Sequence, residues 1–313
     1  MENCWDFLQW LGQDASASVL TRLDEPADLV RASAVSRSWR RFVVEHGFSR
    51  SLCTRKFPEV SNFSNVIDES NNSRNADVGC SSSYDWTSLE KKHRLYSLLC
   101  HLISSPEGKT DCIDLGIFAS STDDEPFESI QNTLVSNEIV GGLPSYWSSS
   151  GQNDTAVPET LTYSLISDFC VVDEIKIQPF KAFFQDGHPI YSSKFVRFRF
   201  GSRSRKAISA YANKSLQLDH SEKYNWTYVS PKFAMIQENV LQSFKLPHPV
   251  ICIGGILQIE LMERVQMQAA DGLYYICVCH VEAIGRSLSP PFRVINLLTP
   301  GSMTLWYPRR SSV

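Results

Sequence analysis

The stretch "SASVLTRLDEPADLVRASAVSRSWRRFVVE", residues 16–45, decides how the first part of the chain is read. It sets one tryptophan, Trp39, among Arg37, Arg40 and Arg41, just after an apolar and small-residue run. Val19, Leu20 and Leu23 fall at i, i+1 and i+4, one face of a helix that Asp14 is placed to cap. Asp24 or Glu25 then precedes Pro26, and proline suits the first helical position because the N–H it lacks would be unpaired there anyway. Leu29, Val30, Ala32 and Ala34 carry this second helix. A third begins near Ser36, carries Trp39, Phe42 and Val43, and stops around Gly47. A further helical stretch, "FSRSLCTRKF", ends at Pro58, so the spacing predicts a helical domain over residues 1–58.

Residues 61–85, "SNFSNVIDESNNSRNADVGCSSSYD", hold seven serines and five asparagines. Such a composition buries too little apolar area to offset the ordering entropy of its backbone, which predicts a flexible linker over 59–84. Helical periodicity returns in "DWTSLEKKHRLYSLLCHLI", where Leu89, Leu95, Leu98, Leu99 and Leu102 predict an amphipathic helix over 85–104.

From about residue 110 the period changes to two. "DEIKIQPF" sets Ile175 and Ile177 against Glu174, Lys176 and Gln178; "KFVRFRFG" sets Val196, Phe198 and Phe200 against Arg197 and Arg199. "ILQIELM" alternates Leu257, Ile259 and Leu261 against Gln258, Glu260 and Met262, and "YYICVCHVEAIG" has two apolar faces over most of its length, as a central strand does. Turn signals at Asp186-Gly187, Gly201-Ser202, Gly254-Gly255 and Asp271-Gly272 separate these runs. The pattern predicts an antiparallel β-sandwich or jelly roll over 105–310, and the chain as a whole is of the α+β class.

With 313 residues there is length for about two domains at ~150 each. Apolar residues make up 42 % and the net charge is −4, which gives no global reason to expect nucleic-acid or acidic-substrate binding. The nine cysteines are scattered without a framework spacing, and "MENCWDFLQWLGQD" carries Glu2 and Asp6 but no basic leader, so it does not read as a secretory signal. No apolar run reaches the ~18–20 residues that span a bilayer. An intracellular setting, nucleus and/or cytoplasm, with free thiols is expected, and N-x-S/T triplets such as Asn225-Trp226-Thr227 are chance matches there.

The chain has no G-x-S-x-G, no H-E-x-x-H and no glycine-rich phosphate loop. Cys277-Val278-Cys279-His280 puts its two thiols on one strand face and the imidazole on the other, so buried thiols are expected rather than a zinc site. Asp123-Asp124-Glu125 reads as a solvated loop run. No catalytic residue, metal or cofactor is expected. The basic residues between Arg37 and Lys56 raise nucleic-acid binding, but Arg37, Arg40 and Arg41 surround Trp39 rather than forming a stripe, and Asp14, Asp24, Glu25 and Asp28 lie just upstream. No nucleic-acid or membrane partner is expected.

The 16–45 stretch resembles an F-box: Val19 and Leu20, then Leu23 with Asp28-Leu29, Val35-Ser36, Trp39, and Phe42-Val43 follow its order and spacing. The likeness covers about 40 residues and departs at Leu11-Gly12, where the family carries a Leu-Pro pair. It implies a three-helix unit docking on the Skp-type adaptor of a Skp–cullin–F-box ubiquitin ligase, with Leu20, Leu23, Pro26, Leu29, Val35 and Trp39 as the adaptor-binding face. Core packing within the unit is the other role open to Trp39. The strand-rich part is similar to galactose-binding-like, discoidin-type jelly rolls, with Trp147-Ser148-Ser149, Gly151 and Gly285 at matching places. F-box plus sandwich resembles a plant-type F-box protein, a non-catalytic ligase subunit whose sandwich recognises a target protein. Candidate target-binding loop residues are Tyr146, Trp147, Asp154, Trp226, Tyr228 and His248; Trp147 and Trp226 either present their rings to a ligand or plug the sandwich ends. The alternative is a carbohydrate-binding or protein-interaction module acting outside a ligase.

Overall fold

The computed structural model describes residues 6–69, 81–213, 220–295 and 303–308. Helices α1 (Phe7–Leu20), α2 (Pro26–Ala34), α3 (Arg37–Glu45) and α4 (Phe48–Lys56) come first, then strand β1 (Phe63–Asp68) and helix α5 (Ser81–Ser104). The long strands that follow are β2 (Ile113–Ala119), β3 (Glu159–Leu165), β4 (Phe169–Lys181), β5 (Ser193–Arg203), β6 (Tyr224–Val229), β7 (Gln242–Ile253), β8 (Ile256–Arg264) and β9 (Cys277–Ser287). Strands β10 (Arg293–Ile295) and β11 (Met303–Tyr307) end the described chain. Two compact units result: residues 1–106 with 291–313, and residues 107–290.

In the helical unit Pro26 opens α2 and Ser36 caps α3, its Oγ accepting the Trp39 amide at 3.2 Å. The cap of α1 is Asp6 rather than Asp14, which lies inside the helix. Gly12, at φ 74°, kinks α1 where an L-residue would be strained. Leu95, Leu99 and Ile103 on one face of α5 are buried, and Ser49 of α4 hydrogen-bonds His93 Nδ1 and Ser97 of α5, each at 2.8 Å.

The linker expected over 59–84 is structured in its first part. A 3₁₀ turn (Pro58–Asn62) leads into β1, which pairs in parallel with β11, Phe63 opposite Met303 and Asp68 opposite Tyr307. Buried Phe63 supplies the driving force, and the Asp68 carboxylate accepts from Arg94 of α5 at 2.9 Å. Serine and asparagine averaged over 25 residues hid a six-residue strand whose partner lies far along the chain. Residues 70–80 of that stretch lie outside the described residues.

Unit two is a sandwich of two antiparallel sheets, in the order β6-β5-β8-β3-β2 and β7-β4-β9 with Thr110–Asp111 at the far edge. The alternation read from the sequence points inward: Val196, Phe198, Phe200, Leu257, Ile259 and Leu261 from one sheet meet Ile175, Ile177, Val250 and Val281 from the other in one core. The sandwich closes at Ser287 and 290 rather than 310, because β10 and β11 return to the helical unit. Gly201 is not a turn but a strand position, where a Cβ would meet the Asn225 carbonyl at 2.1 Å.

Candidate functional site

Three of the six expected adaptor-binding residues, Leu20, Pro26 and Leu29, are buried inside the helical unit and build its core. Periodicity finds the apolar face of a helix but does not say what covers it, and here α1–α5 cover part of it themselves. Leu23 and Trp39 are half-buried, and Val35 is 63 % exposed. The outward apolar positions also include Trp10 (70 % exposed), Val19 and Val30. Trp10 was overlooked because it precedes the patterned stretch, although it is the most exposed large apolar residue among the described residues of the unit.

Trp39 sits among arginines because its polar edge has an anionic partner. Its indole N–H donates to Asp6 Oδ1 at 2.9 Å, and the Ser38 hydroxyl donates to Asp6 Oδ2 at 3.0 Å. Asp6 thus caps α1 and latches it to the start of α3. The arginines turn outward to Glu45, from Arg41, and to Glu90, from Arg40. The Trp39 hydrogen bond, ahead of those from Ser38 and the Leu8 amide, holds the Asp6 carboxyl below its ordinary value of 3.8 despite an opposing desolvation. A depressed carboxylate stabilises the fold above its unfolded-state pKa, and the contribution fades as pH falls through the lower folded-state value. In a ¹⁵N NMR titration the Trp39 indole resonance is expected to move with a midpoint below the ordinary carboxyl value of 3.8, and in Asp6→Asn to stay flat. An indole shift centred at or above pH ~4 contradicts the latch.

Arg55 of α4 closes the other end of α1. Its guanidinium donates to the carbonyls of Thr21 and, at 2.6 Å, Leu23, and pairs with Asp24 at 2.9 Å. That satisfies carbonyls the helix end leaves open, and it sets the turn on which Leu23 sits.

The target-loop candidates fall into two places. Strand register sets residues 190–193, 264–266 and 277–278 at one end of the sandwich and 165–169, 201–203, 253–256 and 285–287 at the other. Tyr146 belongs to the first end: its ring stacks on Phe180 at 3.9 Å and its hydroxyl donates to Glu128. Trp147 is fully buried instead of loop-exposed, with its indole N–H on the Ser121 carbonyl at 3.1 Å. Asp154 is exposed on the loop from 149 to 158 and accepts the Ala156 amide. Trp226 and Tyr228 lie on strand β6 rather than on loops, and His248 lies on β7, edge-on to Tyr228 at 5.8 Å. These three half-buried rings share a sandwich edge away from Tyr146.

The "WSSSG" stretch is explained by a buried arginine. Arg264 Nη1 donates to Ser149 Oγ at 2.7 Å and to the carbonyls of Ser150 and Tyr274 at 3.0 Å, while Nη2 pairs with buried Glu159. Gly151 packs where a Cβ would lie 2.7 Å from Leu273 and Tyr275. The motif therefore anchors the loops of the first end. Cys277 and Cys279 are buried thiols pushed up to about 12, by burial first, and His280 is held by the Thr133 carbonyl and Glu282. Among the described residues no three His, Cys, Asp or Glu side chains converge as a metal site, and no helix is long and apolar enough to cross a membrane.

A family model described as F-box-like matches residues 13–55. The Arabidopsis thaliana protein called F-box protein At4g00755 is 49 % identical over 310 residues, which cover 96 % of this chain and 81 % of that one. The chain belongs to the F-box protein family. The sandwich resembles the family 32 carbohydrate-binding module of Clostridium perfringens NanJ, solved with galactose (12 % identity, TM-score 0.32, 53 % of this chain and 92 % of that one). It also resembles the corresponding module of Streptococcus pneumoniae EndoD (10 %, TM-score 0.35, 56 % and 98 %) and a fucolectin from striped bass, Morone saxatilis (13 %, TM-score 0.31, 57 % and 47 %).

Proposed function

We propose that this chain is the substrate-recognition subunit of a Skp–cullin–F-box ubiquitin ligase, acting inside the cell. The helical unit docks a Skp-type adaptor and through it the cullin core, and the sandwich, residues 107–290, binds the target protein. The observation that carries this reading is the F-box-like unit over 13–55 joined to a separately folded sandwich with its own core. Catalysis belongs to other subunits; this chain raises the target's local concentration beside the ubiquitin-charged enzyme.

The adaptor contact is assigned to the outward residues Trp10, Leu23, Val35 and Trp39, since large apolar anchors carry most interface energy, at ~2 kcal/mol or more for the best. Leu29 is the wrong residue to test, because Leu→Ala at a buried site costs about 2–5 kcal/mol and unfolds the unit along with the interface. Val35→Asp combined with Trp10→Ala is expected to weaken capture by purified Skp-type adaptor at least tenfold while the helical circular-dichroism signal is kept. A wild-type chain that does not bind the adaptor overturns the assignment.

A further inference from the structure

Ten of the fifteen large apolar side chains that stand exposed among the described residues of 107–290 gather at one end, in loops that the hydrogen-bond network holds together. The Asn132 side chain donates to the carbonyls of Phe127 at 2.6 Å and Tyr146 at 2.9 Å. Gln178 and Asn239 both donate to Glu138 Oε1 at 2.8 Å, and Gln237 donates to the Ile190 carbonyl at 2.8 Å. Phe184 stands edge-on to Phe183 at 5.6 Å and beside the Tyr146–Phe180 stack. The loops 120–135, 138–146, 182–190 and 236–241 therefore form one continuous surface. Phe127, Ile139, Leu143, Phe184, Ile236 and Val240 all stand out from it, each about half exposed or more.

Large apolar side chains grouped on several tied loops mark an interaction site, whereas single ones are ordinary. Nothing in the sandwich's own packing needs them there: the core lies between the sheets and is closed without them. The two junctions of the sandwich lie at the opposite end, where Thr110 pairs with Gly285 and the Leu288 amide bonds the Phe169 carbonyl. The loop end is thus the one from which no connecting chain departs.

The charge around this surface is one-sided. Asp123, Asp124, Glu125, Asp186 and Glu238 are exposed on its loops and Asp271 on the adjoining hairpin, against His188, half-buried Lys181 and Lys194, whose charge is paired with Glu263. Opposed potentials across an interface raise its association rate and reject like-charged partners. We infer that the loop end of the sandwich is the target-docking surface, and that it fits a polypeptide presenting Lys or Arg beside aliphatic or aromatic side chains. The inference deepens the receptor reading and rests on it for calling that polypeptide a ligase target. Branched aliphatic tips offer no partner to sugar hydroxyls, so the exposed set suits an apolar peptide face better than a glycan.

The test uses the biotinylated full-length chain panned against a phage-displayed random dodecapeptide library. Enriched sequences are expected to place Lys or Arg within a few positions of Phe, Leu or Ile. A synthetic peptide of that consensus should bind at least tenfold more weakly to Leu143→Asp/Ile236→Asp, and to Asp123→Lys/Asp124→Lys, and should lose affinity as salt rises. The altered residues are exposed, and an unchanged thermal unfolding transition of the sandwich in the same variants shows that it remains folded. No enrichment, enrichment without basic residues, or equal affinity in the variants overturns the inference. So does a glycan-array signal that the consensus peptide displaces, or self-association abolished by Leu143→Asp/Ile236→Asp, because sugar or a second copy would then be the occupant. Failure of the wild type to bind the adaptor is a separate result that strikes the receptor reading and leaves the peptide measurement standing.

Discussion

Glu159→Ala is expected to lower the unfolding free energy of the sandwich by about 3–5 kcal/mol, the usual cost of stranding one member of a buried ion pair. Arg264 is fully buried and cannot take its charge to water, and Glu159 is the carboxylate that balances it. The same guanidinium ties Ser149, Ser150, Val157 and Tyr274, so the loops at that end should loosen together. Glu159→Leu with Arg264→Met should recover much of the loss, because removing both charges also removes the desolvation cost. The recovery is incomplete: the carbonyls of Ser150 and Tyr274 lose a donor. Denaturant unfolding of the full chain, with hydrogen exchange reporting β3 and β8, measures both variants. A Glu159→Ala chain as stable as wild type would show that the pair does not hold this end.

Gly285→Ala is expected to be comparably damaging, at about 3 kcal/mol, the upper part of the range for overpacking. Gly285 lies in β9 at a register shift against β4, and an added Cβ would sit 2.1 Å from the Val171 carbonyl oxygen and 2.9 Å from Val172 Cα. Both obstacles are backbone of a central strand, so the methyl group is accommodated only by parting the ladder between β4 and β9. Gly272→Ala provides the contrast. Its φ is 75° but no atom lies within 4 Å of the added Cβ, so only the left-handed strain of about 1–2 kcal/mol applies. Thermal unfolding of the two variants should separate them by several degrees in Tm; equal Tm values would refute the steric account.

Much of this architecture was legible because it is local. The helices of residues 14–57 announced themselves through Pro26, Ser36 and 3.6-residue spacing, and β4, β5, β8 and β9 through alternation. Burial was less legible. Leu20 and Leu29 are buried while Leu23 is half-buried, and packing within the helical unit decides which of them reach solvent, which is a tertiary fact. Trp147 looked like a loop aromatic because its neighbours are serines, but the Ser149 hydroxyl and Ser150 carbonyl serve Arg264, more than a hundred residues downstream. The Asp6–Trp39 bond and the β1–β11 pairing were hidden for the same reason: their halves lie far apart in sequence and neither carries a periodic signal.

That last pairing bears on how the protein is made. The sheet β1-β11-β10 brackets residues 107–290, so the sandwich is inserted into a helical unit begun before it and finished after it. On the ribosome the inserted domain has all its strands in hand while its host still waits for residues 303–307. A chain cut short after the sandwich would carry a finished sandwich on an unfinished host. Full-length synthesis is therefore coupled, through one parallel strand pair, to the integrity of the unit that carries the F-box.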